Sequence, residues 1–221
     1  VADVREQWQE GRVNAAVYDE VVEREQLARV FGALLWGTDA RRLFRQIDLL
    51  GEVPAGSAIL DVPCGGGLAL RGLKPEQAVR YIAADLSPVM LARARGQAER
   101  RGLTQVEFVE ADVESLPFED AEFDLCITYN SLHCFSDPPA ALAEMARVLR
   151  PGGTLRGTTV VNGAGWRHDA VIRAMRLAGT FGPGGTAAEY GRWLARAGLD
   201  EVDVTRHGAL AYLSGARSHA A

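Results

Sequence analysis

The chain has only three cysteines, Cys64, Cys126 and Cys134, and this scarcity argues against a disulfide framework: the number is odd, the spacing is wide and there is no C-x-x-C pair. Reduced thiols in a reducing compartment are the expectation, and the cytoplasm fits it. No apolar run approaches the roughly 20 residues that cross a bilayer, and the stretch from Val1 to Glu6 lacks the basic-then-apolar pattern of a secretory leader. A basic excess is missing as well. The formal charge is -5, so general affinity for nucleic acid, which needs a positive surface, is not expected. The histidines and cysteines lie scattered without ligand spacing, and no metal site is indicated. What is present is an ordinary globular composition, 48% hydrophobic and 24% charged, in a length that suits one domain over 1–221.

Two rhythms divide that length. Over residues 1–55, Val17, Val21, Val22, Leu27, Val30, Phe31, Leu34 and Leu35 recur at three- and four-residue spacings, which predicts helices. Thr38-Asp39 suits the start of another through Leu43, Phe44, Ile47 and Leu50, with Gly51 and Pro54 ending it. Within 56–221, short apolar strands alternate with helices. The strands are expected at Ala58 to Val62, Arg80 to Ala84, Val106 to Val109, Phe123 to Thr128 and Thr154 to Val161. Amphipathic stretches follow Pro88 to Arg101 and Pro139 to Leu149, the second stopped by Pro151-Gly152-Gly153. Such alternation predicts a doubly wound, mostly parallel α/β sheet. After a helix near Ala187 to Ala197, two closely joined strands around His207-Gly208 add an antiparallel pair, for seven strands in all.

The first strand ends in Asp61 and runs into Cys64-Gly65-Gly66-Gly67, a glycine turn at the edge where such sheets bind ligands. The second ends in Asp85, placed to accept hydrogen bonds from a ribose diol, with Ser87 available to cap the helix that follows. A nucleoside is the implied ligand. The dinucleotide fingerprint G-x-G-x-x-G fails at its third glycine, which is Leu70.

The ordered set Ile59 to Gly67, Ala84 to Leu91, Ala111-Asp112-Val113, Phe123-Asp124 and Val148 to Gly153 resembles the class I S-adenosylmethionine methyltransferases, most of all the branch acting on quinones, sterols and small natural products. The resemblance implies a Rossmann-like core behind a helical extension, S-adenosylmethionine as cofactor, S-adenosylhomocysteine as product and a small-molecule acceptor of the methyl group on O, C or N. It implies that Asp61, Gly65 and Gly67 line the methionine and ribose portion, that Asp85 holds the ribose hydroxyls, and that Leu86 and Met90 pack on the adenine. Asp112 and the Val113 backbone would read the adenine edge, and Asn130 would lie near the methionine amino group. Pro63 stands in this cofactor loop where the family usually has glycine, which stiffens the loop entry and removes an amide donor.

Methyl transfer from a sulfonium needs alignment and water exclusion more than a metal or a nucleophile. Where a base is wanted, His133 is the candidate, after the fourth strand and titrating near neutrality. His168 and His207 are weaker candidates. Tyr18, Trp36, Phe44, Trp166, Met175, Phe181 and Tyr190 are available as acceptor-pocket walls, and the glycine-rich passage from Gly179 to Gly185 as a gating loop. Two rival readings stay open: a methyltransferase fold repurposed for chemistry other than methyl transfer, and a nicotinamide-dependent oxidoreductase.

Overall fold

The computed structural model describes residues 32–219. The expected helical positions Val17, Val21, Val22, Leu27, Val30 and Phe31, and the wall candidate Tyr18, lie outside the described residues. The helices are α1 (Arg41–Asp48), α2 (Pro88–Arg101), α3 (Pro138–Val148), α4 (Trp166–Leu177) and α5 (Ala187–Arg196). The strands are β1 (Ala58–Asp61), β2 (Arg80–Asp85), β3 (Val106–Glu110), β4 (Phe123–Tyr129), β5 (Leu149–Val160), β6 (Leu199–His207) and β7 (Leu210–Arg217).

They form one 7-stranded sheet in the order β3-β2-β1-β4-β5-β7-β6. The first five run parallel, and β7 enters antiparallel between β5 and β6. Parallel strands buried on both faces need apolar side chains on both, and β4 supplies them: Phe123 and Cys126 join the cluster beneath α3 and α5, while Leu125 and Ile127 join the cluster beneath α1 and α2. Asp124 fastens β4 to its neighbours, accepting from the Ala58 amide at 2.8 Å and pairing with Arg150.

Local chemistry sets the element ends. Pro88 occupies the first turn of α2 and Gly102 closes it in the left-handed conformation. Asp137 caps α3 by accepting from the Ala140 amide at 3.0 Å. Thr186 and Glu189 form a reciprocal capping box on α5.

Three features go beyond or against the sequence reading. β5 begins at Leu149 and runs through Pro151-Gly152-Gly153, which therefore do not form the stop. A Cβ on Gly153 would lie 3.0 Å from the Phe123 carbonyl oxygen, so glycine here permits close strand pairing. The segment after β5 forms helix α4, which buries only Ile172 and so carries a weak apolar stripe. Leu34 and Leu35 lie in a short π-helix, Gly32–Trp36, so the segment is helical as expected but these two side chains are exposed rather than core.

Candidate functional site

The strand order reverses at β1, which has β2 on one side and β4 on the other. Beyond the carboxyl ends of these strands lies a solvent-open cavity, about 1080 Å³ of empty space when the open solvent at its mouth is included. A crevice at a topological switch point is where open α/β sheets hold ligands.

The loop after β1 forms one wall. Val62 donates to the Ile127 carbonyl at 3.0 Å and Cys64 to the Ala84 carbonyl at 2.8 Å, which pins the loop between β4 and β2. Gly65 has φ +52 and open space where a Cβ would point, and it lines the cavity with Pro63 and Gly66. Gly67 faces away from the cavity: with φ +94, its Cβ would meet Leu70 at 2.9 Å and Ala94 at 3.2 Å, so it serves close packing of the loop on α2.

Asp85 closes the floor. Its Oδ2 accepts from the Gly65 amide at 2.8 Å and its Oδ1 from the Ser87 amide at 2.9 Å. The expected division of labour is therefore different: the Ser87 side chain makes no cap bond, and Asp85 orders the entry to α2 itself. The Leu86 amide also bonds to this carboxylate, which with about four lone-pair positions keeps some acceptor capacity for a ligand. Burial pushes the Asp85 carboxyl up to about 6, against the pull of its Ser87 and Gly65 amide bonds.

Asp61 lies behind the cavity wall. It is 2% exposed and its Oδ2 accepts from the Tyr81 hydroxyl at 2.8 Å. Burial raises its carboxyl to about 7, opposed by the Tyr81 bond and assisted by the nearby Asp85 charge. Its observed contact is the support of Tyr81. The far wall is made by Leu86, Met90, Asp112 and Val113, two apolar side chains opposite a polar edge. Asp112 Oδ1 accepts from the Glu114 amide at 3.0 Å and holds that edge in a tight turn.

At the end of β4, Asn130 adopts φ +53, its amide donates to the Thr158 carbonyl at 2.8 Å, and its Oδ1 accepts from the Thr158 hydroxyl at 3.1 Å. Thus Pro63, Gly65, Asp85, Leu86, Met90, Asp112, Val113 and Asn130 come together around one cavity, while Asp61 and Gly67 stand behind it.

His133 departs from expectation. It is 3% exposed, does not line the cavity, and its ring lies edge-on to Phe181 at 4.3 Å. Its Nδ1 accepts from the Val160 amide at 3.2 Å, which fixes the neutral tautomer with the proton on Nε2. Burial lowers its pKa to about 3. The ring ties the turn after β4 to β5, a packing task. His168 stands against Gly37, and His207 is engaged by Arg42, which also lies over the Tyr212 ring at 4.9 Å.

The expected acceptor walls are also elsewhere. Phe44 and Tyr190 are core, Trp166 is 81% exposed, and none of the described candidates lines the cavity. Tyr129, Ser131, Cys134, Phe135 and Ser136 line it instead. The sequence signal for these is positional, since they directly follow or end β4. The passage from Gly179 to Gly185 is strapped down rather than free: Gly182 donates to the His133 carbonyl at 2.8 Å, and Arg176 donates to the Gly182 carbonyl at 2.9 Å. Among the described residues, no three His, Cys, Asp or Glu side chains gather as a metal-ligand group.

The comparisons with known proteins agree with this arrangement. Residues 60–156 match the family described as "Methyltransferase domain". The chain is 40% identical over 140 residues to the demethylmenaquinone methyltransferase of Thermus thermophilus, covering 63% of this chain and 62% of that protein. It is 39% identical over 105 residues to the phthiotriol/phenolphthiotriol dimycocerosates methyltransferase of Mycobacterium leprae, covering 46% of this chain and 37% of that protein. The matches thus span less than two thirds of these relatives. Among solved structures, the fold is similar to geranyl diphosphate methyltransferase in complex with geranyl diphosphate and sinefungin, with TM-score 0.66, 18% identity, and coverage of 81% of this chain and 79% of that one. The sheet order and the switch-point cavity thus accompany a methyltransferase-domain match over residues 60–156 and similarity to named methyltransferases.

Proposed function

We propose that this protein binds S-adenosylmethionine in the cavity between β1, β2 and β4 and transfers its methyl group to an O, C or N atom of a small-molecule acceptor, leaving S-adenosylhomocysteine. The observation that carries the reading is Asp85, a buried, cavity-lining carboxylate held by the Gly65, Ser87 and Leu86 amides with acceptor capacity left. The residues present fit the cofactor. Asp85 would take the ribose hydroxyls, Leu86 and Met90 the adenine faces, and Asp112 with Val113 the adenine edge. Pro63, Gly65 and Asn130 would border the amino-acid tail. Asp61 and Gly67 would support these contacts from behind, through Tyr81 and through the packing on α2.

When bound, the cofactor supplies a methyl group already activated on a sulfonium. The chain's part is to orient the acceptor and keep water out. His133, neutral and outside the cavity, would serve structure rather than proton removal. Cys134 is unsuited to act as a nucleophile, because burial pushes its thiol up to about 12. The named relatives act on a demethylated menaquinone and on phthiotriol lipids, which supports a small, hydrophobic acceptor here. We read the chain as a single cytoplasmic domain without a metal cofactor and without nucleic acid as partner.

The test is saturable binding of S-adenosylhomocysteine by calorimetry, with Asp85→Ala expected to weaken it at least tenfold. A folded chain that fails to bind it would sink the proposal. Incubation with S-adenosylmethionine carrying an isotopic methyl group in a metabolite extract then separates methyl transfer, which labels a product, from repurposed chemistry, which leaves the cofactor unconsumed.

A further inference from the structure

Buried hydroxyls normally find a partner, because leaving one unpaired costs about 1–3 kcal/mol. Among the described residues, Thr38, Ser87, Tyr129, Tyr190 and Tyr212 carry buried hydroxyls without a hydrogen bond, and of these only Tyr129 lines the cavity. Tyr190 and Tyr212 have the Thr159 and Thr38 hydroxyls as neighbours. Tyr129 differs. It is 9% exposed, ends β4 and lines the cavity.

Its surroundings restrict what it can bind. Thr158, opposite Tyr129 in the β4–β5 register, spends its hydroxyl on Asn130, and the Oδ2 of Asp61 is taken by Tyr81. Burial and the Asp61 charge both keep the phenol protonated, so it is a hydrogen-bond donor. Arg156, opposite Ile127 and on the same face of the sheet, is exposed, has no ion pair among the described residues, and its charge acts on Tyr129. A donor beside a cation favours an anionic oxygen. Asp85 and Asp112, acceptors both, line the same cavity and suit the hydroxyls and amine of a nucleoside.

We propose that the Tyr129 hydroxyl donates to the carboxylate of the cofactor's amino-acid tail, making Tyr129 a positioning residue that sets how far the tail enters the cavity. This rests on the cofactor reading above. The carboxylate is the one anionic group on S-adenosylhomocysteine, so binding measurements without any acceptor test the assignment.

The variant is Tyr129→Phe, which keeps the ring and removes only the hydroxyl. Calorimetry is run with S-adenosylhomocysteine, its decarboxylated analogue, and 5'-methylthioadenosine, which lacks the tail. The expected result is an affinity loss of about tenfold for S-adenosylhomocysteine and none for the other two, the scale of one hydrogen bond to a charged group. Unchanged affinity for S-adenosylhomocysteine overturns the assignment, and would leave the hydroxyl to an acidic acceptor. Equal losses for all three overturn it in favour of a packing role, and a loss shared with the decarboxylated analogue overturns it in favour of the ammonium. Wild-type protein that binds none of the three ligands brings down the cofactor reading itself, a result distinct from all of these.

Discussion

Asp85 and His133 show how one buried environment acts in opposite directions on an acid and a base. Burial raises the Asp85 carboxyl to about 6 and lowers His133 to about 3. On the proposed cofactor contact, ribose hydroxyls favour the ionised carboxylate, so affinity for S-adenosylhomocysteine should fall by up to about tenfold per pH unit below 6. Titration calorimetry between pH 5 and pH 8 should show that slope in the wild type, and Asp85→Asn should bind weakly with the slope removed. His133 stays neutral in the fold, whereas in the unfolded chain it takes a proton below its ordinary value of 6.5. Its contribution to stability is therefore full above pH 6.5 and lost as pH falls toward 3. Denaturant melts of His133→Gln should show a shallower acid limb and a cost of about 1 kcal/mol at pH 8, the price of one altered buried hydrogen bond. Turnover should keep its pH profile. The position of His133 beside the site was legible in the sequence, but its role was not, because the amide that occupies its ring nitrogen belongs to Val160 on another strand.

At the scale of elements, legibility followed the strength of local end signals. Helix α2 could be read from Pro88 and Gly102, residues whose backbone preferences act within one turn. The start of β5 could not, because Pro151-Gly152-Gly153 reads locally as a stop, and the close carbonyls of Arg150, Phe123 and Asp124 explain glycine inside a strand. α4 escaped notice because a helix burying Ile172 alone has little apolar period to detect. The ring of glycines was visible as a ligand loop, but the split between Gly65, open toward the cavity, and Gly67, packed against α2, depends on contacts with Leu70 and Ala94. Gly67→Ala should accordingly cost about 2 kcal/mol or more, from a positive φ and an overpacked helix contact, read as a lowered urea midpoint. Arg176 is the clamp of the passage from Gly179 to Gly185, donating also to the Asn162 side chain at 2.7 Å. Arg176→Ala should raise hydrogen exchange and protease cleavage there while α3 and β4 keep their protection.

For the molecule as a whole, the class of fold was legible because alternation of strands and helices is a long-range pattern that survives local error. The place of β7 inside the sheet rather than at its rim was not, since a hairpin pattern does not say which of its strands meets β5. The cavity joins three strands, so its occupation should stabilise the entire unit. Saturation at 100 times Kd adds about 2.7 kcal/mol, and a scanning melt with S-adenosylhomocysteine should move the midpoint up by about 5–10 °C. The strand order also dictates a sequence of events during synthesis. β6 and β7 meet across Gly208 and Ala209, a closure needing almost no chain, whereas Ile59 of β1 meets Leu125 of β4 only when everything between them has been made and folded out of the way. The ribosome must therefore release β4 before a cofactor has anywhere to dock. Until then β1 exposes one ladder edge, and crowding or a delay at that stage would be felt as aggregation of the emerging chain rather than as a defect of the finished fold.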